Sequence, residues 1–253
     1  MISRFFIELA YHGKNYAGFQ KQSNANTVQA EVEKALATYF KSPFHLTGSS
    51  RTDAGVHALQ NFFHFDAHLR KEISYLEKSV YHLNAILPPD IVIRKLINMP
   101  PGYHCRFDAH SRAYEYTLYQ VKNPFLNDRA YYYPYYVNFD LLYEAAQIVQ
   151  NHNNFQSFSK ARAQVKNYQC KIFKSHWVRQ QHTITYQVTA NRFLRGMVKG
   201  LVGTMLLVGR EKISLAEFEN IIISLDPRYA NFAVPAHALT LKTVHFNTDL
   251  LRT

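Results

Sequence analysis

Several features whose absence narrows the chemistry are missing from this chain. It has two cysteines in 253 residues, Cys105 and Cys170, without metal-ligand spacing, which argues against a disulfide framework or a zinc site. No apolar run approaches membrane-spanning length. Residues Met1–Ala10 carry Arg4 and Glu8 in place of the apolar centre of a signal peptide. There is no GxxxxGK or GxGxxG loop for nucleotide phosphates, no HExxH and no GxSxG. His12, His57, His64, His82, His104 and His110 are scattered, with no ligand pattern among them. A reduced, cytoplasmic protein with no membrane association, metal or cofactor is the expectation. Acidic groups are also few: 18 against 29 Lys and Arg, a net charge of +11 and a pI near 9.5. On a folded chain that balance favours a polyanionic partner, because neutralised phosphates release counterions. It also serves solubility, so charge alone is weak support for RNA or DNA.

The hydrophobic content of 47% with 19% charged residues reads as globular. The length suffices for one large domain or two interlocked lobes. Aromatics are abundant, with 18 Tyr and 18 Phe against one Trp. Most belong in a core, since strands favour Phe and Tyr for packing, although aromatics beside cations also stack on bases.

Ser3–Tyr11 predicts a strand, and Asn24–Phe40 a helix, with Val28, Val32, Ala35, Leu36 and Tyr39 at three- and four-residue intervals. Phe44–Gly48 predicts a short strand, then a loop to Val56, a strand over Ala58–Asp66, a helix over Glu72–Leu87 closed by Pro88-Pro89, and a strand over Ile91–Ile97. Beyond Asp108, Arg112–Gln120 alternates as a strand with Tyr114 and Tyr116 inward. Asn138–Gln150 predicts a helix, Cys170–Arg179 and Ile184–Ala190 a strand pair, Phe193–Val208 an amphipathic helix, Leu215–Ser224 a helix and Leu239–Phe246 a last strand. The economical fold class is α+β in two lobes, residues 1–107 and 108–253, with sheets and helices packed on one face. Ser157–Asn167 is polar and basic, and reads equally as an exposed loop or an RNA-contacting one.

The stretch most suited to chemistry is Gly48-Ser49-Ser50-Arg51-Thr52-Asp53-Ala54-Gly55-Val56-His57, polar between apolar strands. If locally extended, Arg51 and Asp53 share a face, and the cation favours an ionised carboxylate fit to act as nucleophile or base. Gly55 lets the chain turn closely beneath a ligand. Alone, an Asp-Ala-Gly turn is also ordinary hairpin chemistry. On the helix from Phe193, Arg195 and Lys199 lie four apart, one turn above the other, while Gly196, Gly200 and Gly203 permit close approach by a strand, a helix or an RNA backbone. Tyr114 is suited either to the core or to the wall of a base pocket.

Taken in order, these segments resemble the tRNA pseudouridine synthase A family from end to end. Tyr11-His12-Gly13 through Tyr16-Ala17-Gly18-Phe19-Gln20 is similar to its opening YDGxxYxGWQ, with His for Asp and Phe for Trp. Arg51-Thr52-Asp53-Ala54-Gly55-Val56-His57 matches its RTDAGVH signature. Asn84–Pro88 resembles its NxxLP turn, Arg112-Ala113-Tyr114-Glu115-Tyr116 its RxYxY segment, Asn154–Phe158 its NFxSF motif and Phe193–Gly203 its FLRxMVRxIVG helix. The resemblance implies two ferredoxin-like lobes joined into a continuous curved mixed sheet, with a basic cleft between them. It also implies a homodimer without metal or cofactor that modifies uridines 38 to 40 in the anticodon stem-loop of tRNA. It casts Asp53 as the catalytic carboxylate, Tyr114 as the tyrosine stacked on the target base and Arg51 as the group that fills the space of the flipped base. Lys199 stands where the family usually has an Arg that pairs with the catalytic Asp. Arg195, His57 and Arg112 fall at positions expected to contact substrate. Lysine there, Ser50 for the usual Gly and Ala238 for a C-terminal Gly are departures. They leave room for a shifted RNA target or for a silent RNA-binding relative on the same scaffold.

Overall fold

The computed structural model describes residues 2–160 and 167–247 and is mixed α+β, with five α-helices among them. Of the described residues, 2–110 and 241–247 form one compact unit and 111–240 the other.

The first unit is built on β1 (Ser3–Tyr11), whose observed bounds are the predicted ones. Phe5, Phe6, Ile7 and Leu9 are all fully buried, so this strand is covered on both faces instead of alternating. Helix α1 (Val28–Phe40) begins four residues later than its apolar spacing predicts. Thr27 caps it, its hydroxyl accepting the Ala30 N–H at 3.3 Å, and the Asn26 carbonyl is taken by Ala17 N–H at 2.8 Å. The strand predicted over Phe44–Gly48 shrinks to β2 (Thr47–Gly48). Phe44 and Leu46 are buried as a strand pattern requires, but the main chain of Leu46 is bonded to helix side chains. Its N–H donates to the Glu33 carboxylate at 3.2 Å, and its carbonyl accepts from the Gln29 amide at 2.9 Å. Burial by itself raises the Glu33 carboxyl. The Lys21 ammonium, the Gln29 amide and the Leu46 N–H outweigh it and hold the group below its ordinary value. Strand β3 (His57–Ala67), helix α2 (Ile73–Ile86) and strand β4 (Ile91–Met99) complete this stretch. β1 lies antiparallel between β3 and β4, and β2 adds to β3.

The second unit begins at Ser111 within β5 (Ala109–Tyr119), on which Tyr114, Tyr116 and Leu118 are buried in alternation. A two-residue strand, β6 (Tyr131–Tyr132), runs parallel to it and has no counterpart in the sequence reading. Asn138 caps α3 (Phe139–Gln150) by accepting the Leu141 N–H at 3.3 Å. β7 (Ile172–Gln180) and β8 (Thr183–Ala190) form the predicted hairpin, and β8 pairs with β5, giving the antiparallel order β5–β8–β7. Helices α4 (Met197–Gly209) and α5 (Leu215–Ile223) follow, the latter with a full capping box between Ser214 and Glu217. The basic segment 157–167 begins in a 3-10 turn, Gln156–Phe158, and residues 161–166 lie outside the described residues.

The last strand, β9 (Leu239–Phe246), returns to the first unit from Leu241 on and lies beside β3. The Gln60 side-chain carbonyl accepts from the Thr243 hydroxyl at 2.6 Å and the Val244 N–H at 3.2 Å, and Phe246 packs edge-on against Phe62. No helix among the described residues is long and apolar enough to cross a membrane.

Candidate active site

Arg51 and Asp53 belong to the loop of the first unit between β2 and β3, and His57 is the first residue of β3. The main chain of the loop is held on both sides of Asp53. Before it, the Ser50 carbonyl accepts the Asn61 amide at 2.9 Å, and the Thr52 carbonyl accepts the Phe19 N–H at 3.1 Å. The Thr52 hydroxyl lies 2.8 Å from that of Tyr11, which also accepts the Asn61 amide at 3.2 Å. After it, the Asp53 carbonyl accepts the Val56 N–H at 3.2 Å and the Gly55 N–H reaches the Tyr16 carbonyl at 3.4 Å. Gly55 sits at φ 78°, the left-handed third position of a tight turn that glycine fills without strain. Phe19 supports the loop from below, stacked on Phe63 at 4.3 Å with its ring where a Gly48 side chain would stand.

Exposure alternates along Arg51, Thr52 and Asp53: the arginine is exposed, the threonine buried, the aspartate half-buried. That alternation is the one local extension predicts, with Arg51 and Asp53 both more exposed than the threonine between them. His57 is buried, its Nδ1 accepting the Gly13 N–H at 2.9 Å and its ring 4.2 Å from that of His12. The turn Gly13–Asn15 is in turn fastened to the start of β4. His12 N–H donates to the Asp90 carbonyl at 2.9 Å, the Asn15 amide donates to the Asp90 carboxylate at 2.9 Å, and the Tyr16 hydroxyl donates to the same carboxylate. Burial and then that carboxylate push the Tyr16 hydroxyl well above its ordinary value, so it stays a donor.

Tyr114, Arg112, Arg195 and Lys199 belong to the second unit. Tyr114 on β5 is buried to 9% exposure and meets Phe193 edge-to-face at 5.0 Å. Arg112, two residues back on the same strand, is also buried and donates to the Asn191 carbonyl at 2.9 Å. Both thus brace segment 191–196, which leads into α4. The helix predicted from Phe193 starts at Met197, and this corrects the pairing of Arg195 with Lys199 one turn apart on a single helix face. Apolar periodicity runs through Phe193 and Leu194, but Gly196 at φ 76° cannot continue a helix, and Arg195 lies exposed in the turn before it. The Arg195 carbonyl accepts the Lys160 N–H at 3.0 Å, and the Lys160 side chain fills the place of a Gly196 Cβ. Lys199 is half-buried in the first turn of α4, where it adds a full charge to the positive end of the helix. Gly200 and Gly203 admit protein: Phe158 and Phe232 at the first, the Asn231 main chain at the second.

The residues to which the sequence assigned no role are the supports: Tyr11, Phe19 and Phe193, which stand in the quoted motifs, and Asn61, which does not. Asn61 left a signal, a polar residue inside the apolar run of β3. Cys105 and Cys170 are both buried, and burial raises the Cys170 thiol to about 11, leaving it inert. Among the described residues no three His, Cys, Asp or Glu side chains are placed to hold a metal ion.

A pinned loop that carries a half-buried carboxylate two residues from an exposed arginine, on a chain of net charge +11, fits an enzyme acting on a polyanionic substrate. The profile of the tRNA pseudouridine synthase family matches residues 9–108 and 145–247, and the chain belongs to that family. It is 39% identical over 247 residues to tRNA pseudouridine synthase A of Parabacteroides distasonis, with 98% of this chain and 97% of that one covered. It is 40% identical over 253 residues to the protein of the same name from Porphyromonas gingivalis, covering 98% and 99%. With the Staphylococcus aureus protein of that name the identity is 31% over 250 residues, covering 98% and 92%.

Proposed function

We propose that this chain is an isomerase that converts uridine to pseudouridine in tRNA, with Asp53 as its catalytic carboxylate. The observation that carries the reading is the Asp53 loop. Its sequence is the family signature, its main chain is pinned on both sides, and Asp53 is half-buried two residues from the exposed Arg51. A stacked uridine must leave its stack before its glycosidic carbon can be reached. Asp53 then attacks C1′ of the sugar or removes the C2′ proton, and both routes break the C1′–N1 bond and free the uracil at its N1. The base turns and C5 bonds to C1′, displacing Asp53 from C1′ in the first route or with the proton returned to C2′ in the second; the C5 proton is then lost and N1 gains one. Substrate and product are isomers, so the reaction itself calls for no redox partner or group donor.

Tyr114, with Phe193 at its edge, supplies a flat surface for the base and assists C5 deprotonation. Arg51 fills the vacated stack. Lys199 supplies the cation that the family usually draws from arginine. Arg195 and Arg112 act on the substrate side, Arg195 from its exposed turn and Arg112 by shaping segment 191–196. The proposal extends to the anticodon stem-loop, uridines 38 to 40, as target, to a homodimer as the working state and to the cytoplasm as the place of action. Mapping pseudouridine in tRNA from a strain lacking the gene, with and without the protein added back, tests the target. Missing modification at those positions that the protein restores supports it. Modification elsewhere, or tight tRNA binding without modification, replaces it with another target or with a silent binder.

A further inference from the structure

The sequence places His57 among the substrate-binding residues, and its surroundings point to a further task. It is buried to 5% exposure, and its Nδ1 lies 2.9 Å from the Gly13 N–H. A main-chain N–H only donates, so Nδ1 is the acceptor, the ring proton is on Nε2, and the imidazole is neutral while this bond is made. A cationic His57, with protons on both nitrogens, has no lone pair for Gly13. The turn has no freedom to find another acceptor. A side chain on Gly13 would come within 2.0 Å of the Val56 carbonyl, so its main chain is seated directly on the residue before His57. The His12 ring closes over His57, and the His12 N–H is fixed to Asp90. The segment 13–19 therefore meets the Asp53 loop at three points: Gly13 on His57, the Tyr16 carbonyl on Gly55, and Phe19 N–H on Thr52.

We infer that His57 is a positioning residue, a neutral imidazole whose Nδ1 fastens the Asp53 turn to the Gly13 turn and thereby sets where the carboxylate points. The inference rests on the reading of Asp53 as the catalytic group. Asparagine carries an oxygen near the place of Nδ1 and accepts the same N–H, whereas glutamine places its amide nearer Nε2 and alanine offers no acceptor.

The test compares His57→Asn, His57→Gln and His57→Ala with wild type on unmodified tRNA, reading kcat, KM and tRNA affinity. His57→Asn keeps kcat within about fivefold, while His57→Gln and His57→Ala lose roughly 100-fold in kcat with KM and affinity little changed, the size expected from a misplaced reacting group. Equal kcat losses in all three, or intact kcat with weakened tRNA binding, overturn the inference. Should the Gln and Ala variants fail to fold, nitrogen NMR of the wild-type imidazole decides. An unprotonated Nδ1 in the working pH range supports it, and a protonated Nδ1 overturns it. Wild type that forms no pseudouridine overturns the functional reading and this inference with it. Wild-type turnover with indistinguishable variants overturns this inference alone.

Discussion

The Tyr11 hydroxyl and the Thr52 hydroxyl lie 2.8 Å apart in a buried site, joining the end of the first strand to the residue before Asp53. Asn61 adds a third member by donating to both the Tyr11 hydroxyl and the Ser50 carbonyl. Tyr11→Phe removes the shared oxygen while keeping the ring on Phe19. The expected loss of stability is about 1 kcal/mol, the net worth of a buried hydrogen bond. In single-turnover assays the chemical step slows more than tRNA binding weakens. Unchanged chemistry in a destabilised variant would make this network structural alone.

Gly203 and Gly200 differ in what their missing side chains make room for. At Gly203 an added Cβ would come within 2.1 Å of the Asn231 carbonyl oxygen, a main-chain atom that the Thr204 hydroxyl and the Gly203 carbonyl also hold in place through Asn231. At Gly200 it meets the ring edges of Phe232 and Phe158, at 2.8 and 3.1 Å. Gly203→Ala is expected to lose about 1–3 kcal/mol in urea unfolding, as overpacking against a fixed neighbour does. Gly200→Ala is expected to lose less, because Phe232 can shift.

Such relationships mark the limit of what the sequence discloses. β1 and β9 were legible to the residue because apolar and β-branched side chains predominate in each, with few polar interruptions. Segment 44–46 was not, because its alternation is real but its main-chain bonds go to Gln29 and Glu33. Nor was the start of α4, since Leu194 is buried like a helical core residue while Gly196 ends the helix with its φ angle. The resemblance to RTDAGVH pointed to Asp53 and that to RxYxY pointed to Tyr114, whose alternation on β5 suits the core equally well. The burial of His57 and the Tyr11–Thr52–Asn61 network depend on contacts between distant segments, which no local pattern encodes.

His64 makes stability depend on pH. It is buried on β3, stacked against Phe6, with its Nδ1 accepting the Cys105 N–H at 3.3 Å. Burial first, and then the Arg4 and His104 charges, lower it from the ordinary 6.5 to about 4. Between those two values the unfolded chain binds a proton that the folded chain refuses, so unfolding gains as the pH falls. The contribution is complete above pH 6.5 and is lost progressively as the pH drops toward 4. Urea unfolding across that window should show the decline, and His64→Phe should flatten it. An identical slope in the variant would place the acid sensitivity elsewhere.

The resemblance implies that Lys199 carries charge where the family usually has the planar fork of an arginine. Lys199→Arg is expected to keep or raise kcat, and Lys199→Gln to lower it by about 10- to 100-fold, as loss of one charge-stabilising group does. A severe loss in Lys199→Arg would mean that the neighbourhood is built around the slimmer ammonium.

The most direct test of the central claim is tritium release from C5 of tRNA labelled with [5-³H]uridine, wild type against Asp53→Asn, with tRNA affinity measured in parallel. The account predicts release by wild type, none by Asp53→Asn, and nearly equal affinity. Release by Asp53→Asn at the wild-type rate, or no release by a wild type that binds tRNA tightly, would contradict it.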